Sequence, residues 1–231
     1  MTRPAPDGAT TADALMQALG VRVILSPLLE IRMAAKLPQI DPRARLIFTS
    51  RNGVRAYAAL GGPAQPAICV GDATAALAQE NGLDAQSAGG DADALVDFIL
   101  SQPGDDPLVH LRGQNARGDV AKRLRDAGRD VSDAVIYEQA LTDLSAQAIA
   151  ALKGDDPVIV PLYSPRTATQ FAARCPDGAE PHIIAISEAA ALAAAPLRAK
   201  SLSISDTPDA AAMVRAIAAT LQQLEGQDTP D

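Results

Sequence analysis

The stretch Leu46-Ile47-Phe48-Thr49-Ser50-Arg51-Asn52-Gly53-Val54 decides how this chain is read. A short apolar run, Leu46–Thr49, ends on hydroxyl residues and passes directly into Asn52–Leu60, where apolar residues return at helical spacing. A strand that feeds straight into a helix is half of a βα unit. Repeated, such units build a parallel sheet covered by helices.

The pattern recurs outward in both directions. Further strands are predicted at Val21–Leu25, Ala67–Val70, Leu108–Leu111, Val131–Tyr137, Val158–Leu162, His182–Ile186 and Leu202–Ile204, each bounded by Gly, Pro, Asp or Ser. Further helices are predicted at Thr10–Leu19, Ala73–Asn81, Ala92–Leu100, Arg117–Ala127, Ser145–Leu152, Arg166–Ala173, Glu188–Ala195 and Pro208–Leu224. Gly20, Gly82, Gly128 and Gly154 stand where a glycine stops a helix, and Asp72, Asp91 and Ser145 are candidate N-caps. The strands fit one sheet or two. Leu28–Met33 and Val135–Leu141 are extended and apolar with no helix directly after them, which makes them candidates for connections between domains. The tail Glu225–Asp231 is polar and predicted to fray.

Composition narrows the functions. The 231 residues are 48% hydrophobic but only 3% aromatic, with no Trp, so the core is aliphatic and a base-stacking surface for single-stranded nucleic acid is not expected. A net charge of −8 also argues against a nucleic-acid partner, which requires a basic face. Cys69 and Cys175 are far apart and lack metal-ligand spacing, so they read as buried reduced thiols, with neither a metal site nor a disulfide. No run is apolar enough for a signal peptide or a membrane span, so a cytoplasmic protein without membrane contact is expected. Phosphate-cradling GxGxxG and GxxxxGK[ST] loops and a GxSxG elbow are missing, which disfavours nucleotide-dependent and serine-nucleophile enzymes. His110, inside a strand, and His182, at the start of one, read as structural; Asp105-Asp106 and Asp155-Asp156 read as solvated turns.

In open α/β sheets ligands bind beyond the carboxyl ends of the strands, at helix N-termini. The junctions there are Thr2-Arg3-Pro4, Thr49-Ser50-Arg51-Asn52, Gly71-Asp72-Ala73-Thr74, Arg112-Gly113-Gln114-Asn115, Tyr163-Ser164-Pro165-Arg166 and Ser187-Glu188-Ala189. Ser, Thr, Asp and Gly at such places are equally what capping and tight turns select. Arginine is not, because a helix N-terminus disfavours a cation. The joint presence of Arg3, Arg51, Arg112 and Arg166 therefore points to a ligand bearing several carboxylates.

These same junctions, in order, resemble the uroporphyrinogen-III synthase family over essentially the whole chain. The resemblance is carried by Thr2-Arg3-Pro4, Pro27-Leu28-Leu29-Glu30-Ile31, Leu46–Val54, Val70-Gly71-Asp72-Ala73-Thr74-Ala75, Val135-Ile136-Tyr137-Glu138-Gln139 and Tyr163-Ser164-Pro165. Two departures stand out. Ala189 and Ala190 occupy positions where many relatives carry hydroxyls, and the first strand is shortened to almost nothing before Arg3.

The resemblance implies two doubly wound parallel-sheet α/β domains of flavodoxin or Rossmann type, joined by a two-stranded linker, with the second inserted into the first. Residues 1–30 and 141–231 would form one domain and 31–140 the other, with the six junctions collected between them. It implies a cofactor-free lyase acting on hydroxymethylbilane, a linear tetrapyrrole with eight carboxylates; oligomeric state is left open, with a monomer as the default expectation. The substrate loses water and closes to uroporphyrinogen III with ring D inverted. Tyr137 is implied as the proton donor to the departing hydroxide. Arg3, Thr49, Ser50, Arg51, Gly71, Asp72, Thr74, Arg112, Gly113, Ser164, Arg166 and Ser187 are the residues expected to hold carboxylates. The competing reading is a two-domain protein that binds an acidic tetrapyrrole without turnover.

Overall fold

A computed structural model describes residues 1–116 and 118–227. The described chain runs α1 (Asp7–Leu19), β1 (Leu29–Met33), β2 (Arg45–Phe48), α2 (Arg51–Ala59), β3 (Pro66–Cys69), α3 (Asp72–Glu80), β4 (Asp84–Ser87), α4 (Ala92–Ser101), β5 (Leu108–Gly113) and α5 (Val120–Asp126). It continues through β6 (Val131–Leu141), α6 (Ala146–Leu152), β7 (Ile159–Leu162), α7 (Pro165–Arg174), β8 (His182–Ala185), α8 (Glu188–Ala194), β9 (Ser201–Ile204) and α9 (Ala210–Gln227). Two compact units emerge: Met1–Glu30 with Ala140–Asp231, and Ile31–Gln139.

The Ile31–Gln139 unit is built on the sheet order β1-β6-β5-β2-β3-β4. From β2 the chain moves outward through β3 and β4, then returns to the other side of β2 for β5 and β6; all of these pairs are parallel. Side chains alternate across the sheet as strand geometry requires. Leu46 and Phe48 face Val54, Tyr57, Ala75 and Ala78 of α2 and α3, whereas Ile47 and Ile68 face Leu95, Ile99, Val120 and Leu124 of α4 and α5. The sheet is thus wound on both faces. β1 and β6 each cross the division between units. Ala34 N–H donates to Ile136 O and Thr142 N–H to Leu28 O, a pairing that runs in opposite directions along the two segments and is therefore antiparallel.

The other unit holds a parallel sheet, β7-β8-β9. Leu162 and Ile183 pack with Ala168 and Phe171 of α7, Ala194 of α8 and Leu152 of α6. On the opposite face Ile184 packs with Leu15 of α1 and Met213 and Ile217 of α9. An apolar cavity of about 650 Å³ lies in this unit, lined by residues that include Val23, Ile24, Val160, Phe171, Ile217 and Leu221. No arginine, serine or tyrosine singled out from the sequence as a ligand or catalytic group lines it, so it is not the candidate site.

Several sequence expectations need correction. Val21–Leu25 forms no regular strand. Its segment bonds to the chain start (Met1 N to Ile24 O, 2.6 Å; Ser26 N to Met1 O, 2.9 Å; Leu28 N to Thr2 O, 3.1 Å) without the even two-residue step of a parallel ladder. On the other flank of Met1–Thr2 stands Pro161 of β7, which has no N–H to give; Thr2 ties itself there by donating its hydroxyl to Pro161 O at 2.9 Å. β4, Asp84–Ser87, is a strand the pattern missed, because one buried residue in four gives no alternation and backbone pairing to β3 holds it. α3 is capped by Gly71, with Asp72 inside the first turn rather than at the cap. Gly154 does not adopt the left-handed conformation, unlike Gly20, Gly82 and Gly128. The expected start of a helix at Arg117 and the tail residues 228–231 lie outside the described residues; α5 begins at Val120.

Cys69 lies in the core with its thiol pushed up to about 11 by burial. Cys175 is half-buried rather than buried. Among the described residues no group of His, Cys, Asp or Glu is placed to hold a metal ion, and no helix is long and apolar enough to cross a membrane.

Candidate active site

In the Ile31–Gln139 unit the winding direction reverses between β2 and β5, so the crevice beyond their carboxyl ends is where a ligand is expected. Four short-range features build it. Ser50 caps α2, its hydroxyl accepting from Asn52 N at 3.1 Å, and Arg51 stands at the first helical position. Thr49, half-buried, lies 3.1 Å from Nε2 of His110 on β5. Gly113 ends β5 at a bulge, where the register with β6 slips so that Gly113 faces Tyr137. Tyr137 then lies across Gly113: a Cβ there would stand 2.6 Å from its Cζ, and Gly53 Cβ would be 3.9 Å from its Cε1.

The phenol of Tyr137 thereby crosses one strand to make a side-chain hydrogen bond with Ser50. Its ring is 7% exposed, and burial raises its pKa although the Ser50 bond opposes this. Burial thus favours the neutral phenol, held at the switch point by the bulge at Gly113.

Other predicted positions in this unit have clearer structural duties. Arg112 pairs with Asp133, Nε at 2.8 Å and Nη2 at 2.7 Å from the same oxygen, and donates to Gly113 O at 3.2 Å. Its guanidinium is thus committed within the unit, holding β5 to β6 beside the bulge. Thr74 is buried, 6% exposed, in the first turn of α3. Asp72 is exposed at that helix start, where its own charge complements the dipole and opposes a bound carboxylate. Gly71 offers its backbone, but a side chain there would meet only Gly90 O at an ordinary 3.6 Å, so nothing in the space around it demands glycine.

The second unit presents its own set. Ser164 caps α7, accepting from Thr167 N at 3.1 Å and lying 2.7 Å from Thr167 Oγ1, with Arg166 in the first turn. Ser187 caps α8, accepting from Ala190 N at 3.3 Å. Ala189, exposed, and Ala190, buried, carry no hydroxyl, so Ser187 supplies the hydroxyl of this turn. Arg3 lies over the ring of Tyr163, 4.7 Å from its centroid, and also contacts Thr11 at 3.2 Å and Asp7 at 3.6 Å. Tyr163 Oη is buried without a hydrogen-bond partner among the described atoms.

His110, read from the sequence as structural, and Tyr163, named there only within a junction, are polar groups to which the sequence reading gave no part in the site. His110 lies within β5 and Tyr163 directly after β7, and only burial shows that they keep unpartnered atoms. Burial holds the His110 imidazolium down to about 4, assisted by Arg112 and opposed by Asp133. Because the unfolded chain binds this proton near the ordinary value and the folded chain does not, stability is intact above pH ~6.5 and falls as pH drops towards 4. The expected loss over that window is roughly 3 kcal/mol, and urea unfolding of His110→Phe across it should show a flatter acid limb.

A doubly wound sheet with a buried phenol and capped helix starts at its switch point makes the carboxyl edge of this α/β unit its candidate ligand site. The family model described as uroporphyrinogen-III synthase HemD matches residues 10–215. The chain belongs to the uroporphyrinogen-III synthase family, and its activity is the family's, the making of uroporphyrinogen III. The fold agrees with the uroporphyrinogen-III synthetase of Helicobacter pylori (20% identity, 84% of this chain and 91% of that one, TM-score 0.62). It also agrees with a mutant uroporphyrinogen III synthase of Thermus thermophilus (16% identity, 96% and 100%, TM-score 0.50). At these identities the likeness is one of fold. No curated protein matches the sequence.

Proposed function

We propose that the chain acts as a cyclising hydro-lyase on hydroxymethylbilane, with Tyr137 as proton donor. The reading is carried by the Tyr137 phenol, held across Gly113 and bonded to Ser50 at the switch point. Its raised pKa keeps the proton in place through the neutral range, as a general acid requires. Protonation of the departing hydroxyl gives water and an azafulvene. The substituted carbon of ring D attacks to form a spiro intermediate, which opens and recloses with ring D inverted, and the proton released on closure restores the phenol.

The candidate carboxylate contacts are Thr49, Ser50 and Arg51 at α2 and the backbone at Gly71 and Thr74 in the Ile31–Gln139 unit, with Ser164, Arg166 and Ser187 as candidates of the same kind in the discontinuous unit. Each offers a hydroxyl, a guanidinium or a helix N-terminal N–H. Arg3 and Arg112 act one step back, through the contacts described above, and Asp72, whose charge opposes a carboxylate, takes none. Holding a flexible tetrapyrrole in the single geometry that favours spiro closure supplies much of the rate by orientation. With the family reading goes a cytoplasmic monomer.

The test is direct. Purified protein given fresh hydroxymethylbilane, with no added cofactor, should yield oxidised product dominated by the type III isomer on chromatography. Type I alone, the product of spontaneous closure, would overturn the enzyme reading.

A further inference from the structure

His110 sits on β5, one of the two strands that flank the switch point, and is 2% exposed. Its Nε2 lies 3.1 Å from Thr49 Oγ1, while its Nδ1 is buried with no hydrogen-bond partner. The ring therefore has two possible states. If Nδ1 carries the proton, a donor is stranded in the core and Nε2 accepts the threonine's proton. If Nε2 carries it, a lone pair is stranded and Nε2 donates to Oγ1. Orphaned buried N–H groups are the rarer and costlier defect, since an acceptor is more readily left short than a donor. The imidazolium, which would need both nitrogens paired, is disfavoured by burial.

We propose that His110 is a positioning residue: its Nε2–H donates to Thr49 Oγ1 and so leaves the threonine's own proton free to point at a substrate carboxylate. A threonine without this partner would turn its hydroxyl inward to any acceptor within reach; with it, the hydroxyl becomes an outward donor, which is the polarity a carboxylate requires. The inference rests on the assignment of Thr49 as a carboxylate contact and adds the reason a buried histidine is kept beneath it.

Two measurements test it. Nitrogen-15 NMR of the wild-type imidazoles, with His110 distinguished from His182 by a His182→Gln variant, should show His110 as the Nε2–H tautomer at neutral pH. An Nδ1–H tautomer would overturn the proposal without any change to the fold. In steady-state assays Thr49→Val should raise KM about tenfold, the value of one hydrogen bond to a charged group, and His110→Phe about fivefold, each with kcat within a factor of about two. His110→Gln, whose amide can donate from the place of Nε2, should restore most of the loss. The double variant Thr49→Val/His110→Phe should be no worse than Thr49→Val alone, because both act through one hydroxyl. Additive effects would sink the positioning role while leaving the synthase reading intact. If no variant and no wild-type protein makes the type III isomer, it is the functional reading that fails, whatever the tautomer.

Discussion

Tyr137→Phe should lower kcat about 100-fold, the lower range for removing a positioned general acid, with KM nearly unchanged. The substitution keeps the ring that packs on Gly113 and Gly53 and removes only the oxygen bonded to Ser50. Unfolding in urea should therefore shift by about 1 kcal/mol or less. As the enzyme slows, spontaneous closure competes for the same substrate, so the fraction of type I isomer in the product should rise and should fall again as the enzyme concentration is raised. In the wild type, burial places the phenol above its ordinary value, so the rate should hold through neutral pH and fall only on the alkaline side of about pH 10. A Tyr137→Phe protein with wild-type kcat would remove the phenol from the chemistry and leave it an anchor for β6.

Gly113→Ala should be as damaging to catalysis as loss of the phenol itself, although the methyl group touches no substrate. Its Cβ would lie 2.6, 2.7 and 2.8 Å from Cζ, Cε2 and Oη of Tyr137, distances that side chains do not tolerate. β5 cannot yield, being paired to β2 on one side and β6 on the other. The tyrosine must swing away, breaking its bond to Ser50. The expected cost is about 1–3 kcal/mol of stability, as for other overpacked sites, together with a fall in kcat of about 100-fold. Two further variants separate the causes. Gly113→Ala/Tyr137→Phe should be little slower than either single change, because both remove the same held proton. Gly113→Ala/Tyr137→Leu should recover stability, measured by urea midpoint, without recovering rate. Full activity in Gly113→Ala would show that the phenol is not needed in this position.

What the sequence conveyed and what it hid divide along a physical line. The βα junctions are local: Phe48 to Asn52 and Leu162 to Thr167 each encode strand, cap and helix within a few residues, and the caps at Ser50, Ser164 and Ser187 form as the hydroxyls suggested. Pairings between distant strands were not legible. That Arg112 is occupied by Asp133 follows from β5 lying beside β6, and that Tyr137 reaches Ser50 follows from the order β6-β5-β2. Gly113 was singled out for its backbone N–H, yet its tightest constraint is the aromatic ring above it, set by a bulge that no local pattern announces. Val21–Leu25 was misread for a related reason, since an apolar run becomes a strand only if its neighbour can complete a ladder, and the chain start beside it supplies bonds at an uneven step.

The discontinuous unit has a consequence for how the chain comes to be folded. Ile31–Gln139 is continuous and can assemble as soon as it leaves the ribosome, whereas Met1–Glu30 must wait for the partner that begins at Ala140. Left as a loose loop, the intervening roughly one hundred residues would impose an entropic penalty on that meeting. Once they have folded, the bond from Ala34 to Ile136 holds the two exits of the loop side by side, and the first segment is delivered to the second almost without search. Order of synthesis and order of assembly thus coincide for the inserted unit and part for the segment before it, so that Met1–Glu30 is made ahead of Ile31–Gln139 yet fixed after it.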